Sequence, residues 1–107
     1  MKWYLAGPMS GIEDQNYPAF IEAAASLRAT GHQIVSPHEV YHHPSEPDRS
    51  RWVTLLQRDL RALAECQGII LLPGWTKSKG AKFELHVALT LEMPVRFYRD
   101  GFAEEIS

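Results

Sequence analysis

Four short apolar runs punctuate the chain: "KWYLAG" (residues 2–7), "QIVSP" (33–37), "GIILLPG" (68–74) and "PVRFYR" (94–99). Between them lie three longer segments whose apolar residues recur every three or four positions. The runs have the length of buried strands, mostly punctuated by glycine or proline, and the longer segments have the period of helices. Residues 17–32 predict a helix with Pro18 in its first turn, Phe20, Ile21, Ala24 and Leu27 on its inner stripe, and Gly31 just past its end. Residues 51–66 predict a second helix, striped by Trp52, Leu55, Leu56, Leu60 and Leu63, and residues 80–91 a third. Strands separated by helices of this length pair in parallel through right-handed crossovers. The expected fold class is therefore α/β, a small doubly wound parallel sheet of about four strands with helices on both faces, in one domain spanning 1–107.

Two acids interrupt that pattern. Glu84 stands three, four and seven residues before Val87, Ala88 and Leu91, so it shares their inward face. Asp59 falls on the apolar stripe of the second helix, four residues after Leu55. An unpaired carboxylate in an apolar setting is costly, and its pKa should rise unless a partner offsets the burial. A structural role, with each acid held by an arginine or a backbone amide, is one reading. Catalysis is the other, and two acids on inward stripes, one of them just after a glycine-bearing turn at the expected ligand edge, favour it. Glu84 lies near the start of its helix, where the dipole favours an anion. Asp59 lies mid-helix without that help, so it is expected to be the readier of the two to hold a proton. Two carboxyl groups with separated proton affinities suit the cleavage of a glycosidic bond.

Ligands of doubly wound sheets sit beyond the carboxyl ends of the strands, where strand order reverses. That edge should carry residues 7–11, 37–43 and 74–80. "GPMSG", with Gly7, Met9, Ser10 and Gly11, joins the first strand to the first helix and could offer free backbone amides to a phosphate or a sugar hydroxyl. "SKG", with Ser78, Lys79 and Gly80, offers the same before the third helix. A plain turn or a solvated cap is the alternative at either place.

The remaining composition narrows the field. With 45% hydrophobic and 22% charged residues the chain can bury a core, and its net charge of −2 argues against a nucleic-acid polymer as partner. The single cysteine, Cys66, excludes an internal disulfide and suits a reducing compartment. No apolar run approaches the ~20 residues of a membrane span and no signal-peptide core is visible, so a cytoplasmic protein with no membrane partner is expected. His38, His42 and His43 lie close together with Glu39 and Asp48, but a Pro-rich loop without helical spacing reads as a surface loop or lid rather than a metal centre. Neither a metal nor another cofactor is expected. Tyr4, Trp52 and Trp75 could stack a base or fill the core, and Arg49, Arg51, Arg58 and Arg61 read as a solvated helix face.

Three stretches, "YLAGPMSG", "RDLRALAECQGIILLPGW" and "SKGAKFELHVALTLEMPV", together resemble the nucleoside 2-deoxyribosyltransferase-like superfamily, in particular its small phage and bacterial members and the related deoxynucleoside 5′-monophosphate N-glycosidases. The resemblance spans nearly the whole chain and implies a flavodoxin-like fold. It implies that Glu84 is a nucleophile attacking C1′ of the deoxyribose, that Asp59 contacts the sugar or assists departure of the base, and that the Tyr4 hydroxyl positions the nucleophile. Gly7, Ser10 and Gly11 match the loop beside the sugar's 5′ end, and Ser78 and Gly80 match a phosphate- or hydroxyl-binding turn. A nucleoside or nucleotide substrate, hydrolase or transferase activity and assembly as a homo-oligomer, dimer or higher, are further implications. The chain differs from many relatives in reading Cys66-Gln67 before its third strand, where they have an aspartate, and in the segment "LLPGWTKSKG". A non-catalytic nucleotide-binding or interaction module of the same fold is therefore the alternative.

Overall fold

Alternate residues of the first strand serve two different cores. The structure, a computed structural model, describes residues 1–9, 12–39 and 48–105, and the side chains of all these except 48–52. Strand β1 (Lys2–Ala6) sends Trp3 and Leu5 to one face of the sheet, where they pack with Phe20, Ala23, Ala24 and Leu27 of helix α1 (Tyr17–Ala29). It sends Tyr4 and Ala6 to the other face, against Leu63 of α2 (Asp48–Ala64) and Ala81 and Ala88 of α3 (Lys79–Thr90). A period of two along a strand makes this division unavoidable once both faces are covered.

The sheet has five strands in the order β2-β1-β3-β4-β5, with β2 at Gln33–Val35, β3 at Gly68–Leu71, β4 at Val95–Arg99 and β5 at Phe102–Glu105. Strands β1 to β4 pair in parallel, as the alternating pattern predicts. Strand β5 is an addition: it returns antiparallel along β4 through a tight turn at Asp100-Gly101, where φ is 50° and 86°. The chain leaves β1 in one direction to form β2 and crosses back to form β3. Strand order thus reverses between β1 and β3, and the crevice beyond their carboxyl ends is the place where such sheets receive ligands.

Two details of packing differ from expectation. Ile21 is 52% exposed, and Ala23 takes its place on the buried stripe of α1. Leu91, the C-cap of α3, is 53% exposed and outside the core that holds Ala88. Helix α2 starts earlier than predicted, and its 17 residues extend about 25 Å. The four residues of β3 extend only about 13 Å. Leu55, Leu56 and Asp59 of α2 form one wall of the crevice.

The connection from β1 to α1 contains a strained turn. Asp14, Gln15 and Asn16 all have left-handed backbones, with φ of 53°, 53° and 60°. Such a conformation costs a non-glycine residue roughly 1–2 kcal/mol, less for Asn and Asp. The turn is tied down by Gln15 N–H donating to Ile12 O at 2.9 Å and by Asn16 Nδ2 donating to Pro8 O at 2.9 Å. Pro18 then sits in the first turn of α1, where no N–H is required of it.

Candidate active site

Tyr4 reaches the site because its strand position points it at α3. Its hydroxyl donates a 2.7 Å hydrogen bond to Glu84 Oε2, within the buried interior. Glu84 is 5% exposed and Asp59 is 6% exposed, and both line a single cleft of about 470 Å³ at the carboxyl edge of the sheet. The cleft has three walls. Gly7, Pro8, Met9 and Gln15 form the first, Leu55, Leu56 and Asp59 of α2 the second, and residues 77–81 with Glu84 the third.

Burial dominates the electrostatics of this cleft. It pushes the Glu84 carboxyl up to about 8, helped by the neighbouring Asp59 charge and opposed by the Tyr4 hydrogen bond. It pushes Asp59 up to about 7. Their order is the reverse of that expected from helix position. Glu84 lies in the second turn of α3, and the dipole's help fades beyond the first turn, so deeper burial wins. Both carboxyls are therefore partly protonated near neutral pH. The Tyr4 phenol is held well above its ordinary range, first by burial and then by the charges of Glu84 and Asp59, and so remains a donor.

Asp59 Oδ1 is buried and has no hydrogen-bond partner among the described residues. A buried polar atom left this way costs about 1–3 kcal/mol. The reading in which an arginine or amide holds each acid for purely structural reasons therefore finds no support at this oxygen. Tyr4 does hold Glu84, but from within the cleft wall.

The turns serve the cleft in different ways. Gly7 is demanded by packing, since a Cβ there would stand 2.8 Å from the Leu72 Cβ. The Ser78 hydroxyl caps α3 by accepting from Ala81 N–H at 3.1 Å, so its acceptor side is engaged by the fold. Gly80 is different. A Cβ there would meet nothing within 4 Å, so nothing in the packing requires a glycine in this helical turn. Lys77 and Lys79 put positive charge on the same wall.

Of the residues singled out in the sequence, Tyr4, Gly7, Met9, Asp59, Ser78, Lys79, Gly80 and Glu84 converge on this edge. Ser10 and Gly11 lie outside the described residues, as do His42 and His43, and the side chain of Trp52 is outside them too. His38 is engaged elsewhere, with Ser36 Oγ 2.6 Å from its Nδ1, and Glu39 pairs with Arg28 at 2.6 Å. Trp75 packs into the core near Phe97, ring centroids 6.1 Å apart. Leu55 and Leu56, expected in the core, face the cleft in part; Lys77 joins them from the segment 74–80 expected at this edge, and Gln15 joins them although no pattern in the sequence marks it.

A doubly wound sheet with two buried acids and a phenol at its switch point defines a class of small α/β domains with a ligand cleft at the strand ends. Residues 1–97 match the model of a family described as a domain of unknown function, DUF4406, and the chain belongs to that family. No curated protein matches the sequence. Among solved structures, the chain is similar to one described as a 2-deoxyribosyltransferase from the psychrotolerant bacterium Bacillus psychrosaccharolyticus. The TM-score is 0.69 with 22% sequence identity, over 91% of this chain and 71% of that one. The likeness is one of fold, and it agrees with the flavodoxin-like architecture expected from the sequence.

Among the described residues, no helix is long and apolar enough to cross a membrane.

Proposed function

We propose that this protein cleaves the N-glycosidic bond of a nucleoside or nucleoside 5′-monophosphate, with Glu84 as nucleophile. The observation that carries this reading is the buried Tyr4–Glu84 hydrogen bond beside Asp59 at the switch point. A carboxylate aimed into a cleft by a phenol, with a second proton-holding acid on the facing wall, is suited to double displacement at a sugar carbon.

The reactive form of the pair has Glu84 ionised and Asp59 protonated. With burial holding Glu84 near 8 and Asp59 near 7 it is the less populated of the two singly ionised forms, and the Tyr4 hydrogen bond favours it. One Glu84 oxygen attacks C1′ and forms a C1′–O bond. The C1′–N bond breaks, its electron pair stays with the base nitrogen, and that nitrogen takes the Asp59 proton. In the second half, a water oxygen attacks C1′ from the opposite face and releases Glu84 as carboxylate, while Asp59 takes back a proton. A second base in place of water completes a transfer instead of a hydrolysis. Tyr4 stabilises the ionised Glu84 before attack and after release.

A 5′-monophosphate is the preferred form of substrate in this account. The start of α3 brings its dipole to the cleft, Lys77 and Lys79 supply charge, and Gly80 leaves room for close approach. The test is acid-quenched mass spectrometry of protein mixed with deoxynucleotides. A deoxyribosyl adduct on the peptide containing Glu84 is expected, and an adduct elsewhere would reassign the nucleophile.

A further inference from the structure

Among the described residues that line the cleft, Gln15 is the one non-glycine residue with a left-handed backbone. It sits in the middle of the left-handed turn formed by residues 14–16, and it lines the cleft that Lys77 and Lys79 also line. The carboxamide has no hydrogen-bond partner among the described residues, so no such bond within the described fold fixes its orientation. The turn is nonetheless anchored, by the Gln15 N–H donating to Ile12 O and by Asn16 Nδ2 donating to Pro8 O. Strain that is fixed in place and aimed at a cleft is a signature of a functional position.

Cleft chemistry limits what Gln15 can meet. The other hydrogen-bonding side chains lining it are Asp59, Glu84, Lys77, Lys79 and Ser78. The lysines suit an anionic end and the acids suit the sugar. What remains of the lining is largely apolar, with Met9, Leu55 and Leu56 sharing the cleft with Gln15. A carboxamide presents one acceptor beside one donor group in a plane, which complements the adjacent donor and acceptor on a nucleobase edge.

We infer that Gln15 reads the base of the substrate, through a paired hydrogen bond to the base edge while Leu55 and Leu56 pack on the ring. This rests on the glycosidic reading of the site for its substrate class. It adds which wall sets the choice of base and which residue makes it.

The experiment separates the two. Binding of the four common 2′-deoxynucleoside 5′-monophosphates is measured by calorimetry on Glu84→Gln protein, with and without Gln15→Met, and base release is measured on the wild type. The expected result is a preference of roughly ten- to a hundredfold for one base, collapsing to within about threefold when the carboxamide is replaced by methionine. Gln15→Gly should lose the same preference while its Tm is unchanged or higher, because glycine adopts the left-handed backbone without strain. An unchanged spread of affinities in Gln15→Met overturns the inference, and base release by the wild type would then leave the glycosidic reading standing. Absence of any base preference in the Glu84→Gln protein also overturns it. Binding without base release, with the preference lost in Gln15→Met, upholds Gln15 as the base reader and removes the glycosidic step alone.

Discussion

Tyr4 and Glu84 lie 80 positions apart and meet in a 2.7 Å hydrogen bond sealed inside the protein. One comes from the first strand and the other from the last helix, so the contact exists only when the sheet and its α3 layer are assembled. It also offsets part of the burial that raises the Glu84 pKa. Removing the phenol oxygen should therefore act on the carboxyl as well as on the fold. Tyr4→Phe leaves Glu84 Oε2 without this donor and is expected to destabilise the protein by about 1–3 kcal/mol. It should lower kcat/KM at pH 7 by roughly ten- to a hundredfold, equivalent to about 1.4–2.7 kcal/mol. Because Glu84 must ionise to attack, the acidic limb of the pH–rate profile should move to higher pH in this variant. Rate loss without a shift of that limb would assign Tyr4 a packing role.

Stability should fall as pH rises. Glu84 and Asp59 have folded-state pKa values near 8 and 7, against ordinary values of 4.5 and 3.8. Between about pH 4 and pH 8 the folded chain retains protons that the unfolded chain has released. Their stabilising contribution is complete below the ordinary carboxyl range, shrinks through that window, and is gone above it. Glu84→Gln cannot ionise, so its Tm should exceed that of the wild type at pH 8 and its decline from pH 5 to pH 8 should be shallower. Thermal melts across that range check this. Equal slopes for the two proteins would mean that Glu84 is ionised in the fold throughout.

Gly80 separates ligand approach from folding. Alanine there meets open space and favours the helix, so Gly80→Ala should hold or raise stability by up to about 1 kcal/mol. If a phosphate sits against the first turn of α3, the added methyl should raise KM for a 5′-monophosphate several-fold and leave the bare nucleoside nearly unaffected. Lys77→Ala should weaken the monophosphate in the same direction, more at low salt. Steady-state kinetics on the paired substrates decide it, and equal effects on both would move the phosphate elsewhere.

The parallel core of the fold was readable because β1 to β4 and α1 to α3 each carry strong periodicity and glycine or proline punctuation. The two inward acids were readable for the same reason, since a charge on an apolar stripe stands out. Strand β5 was not read from "FAEE", which is charged and lies at an exposed edge, although the Asp100-Gly101 turn before it is a strong local hairpin signal. The proton order of Glu84 and Asp59 was misjudged because a helix position says nothing of how deeply a cleft wall buries each group. Gln15 could not be found by periodicity, since its placement depends on a left-handed turn that sequence pattern does not encode. Residues such as Leu55 and Leu56 face both the core and the cleft, and a stripe on a helix cannot distinguish the two.

The central claim is that Glu84 attacks a glycosidic carbon, and free base is its most direct product. Wild-type protein and Glu84→Gln should be incubated at pH 7 to 8 with a panel of deoxynucleosides and their 5′-monophosphates, with the bases separated chromatographically. The account predicts base release by the wild type, fastest from one 5′-monophosphate, and none above background from Glu84→Gln protein that melts cooperatively. No base release from any member of the panel, or equal release by Glu84→Gln, would contradict it.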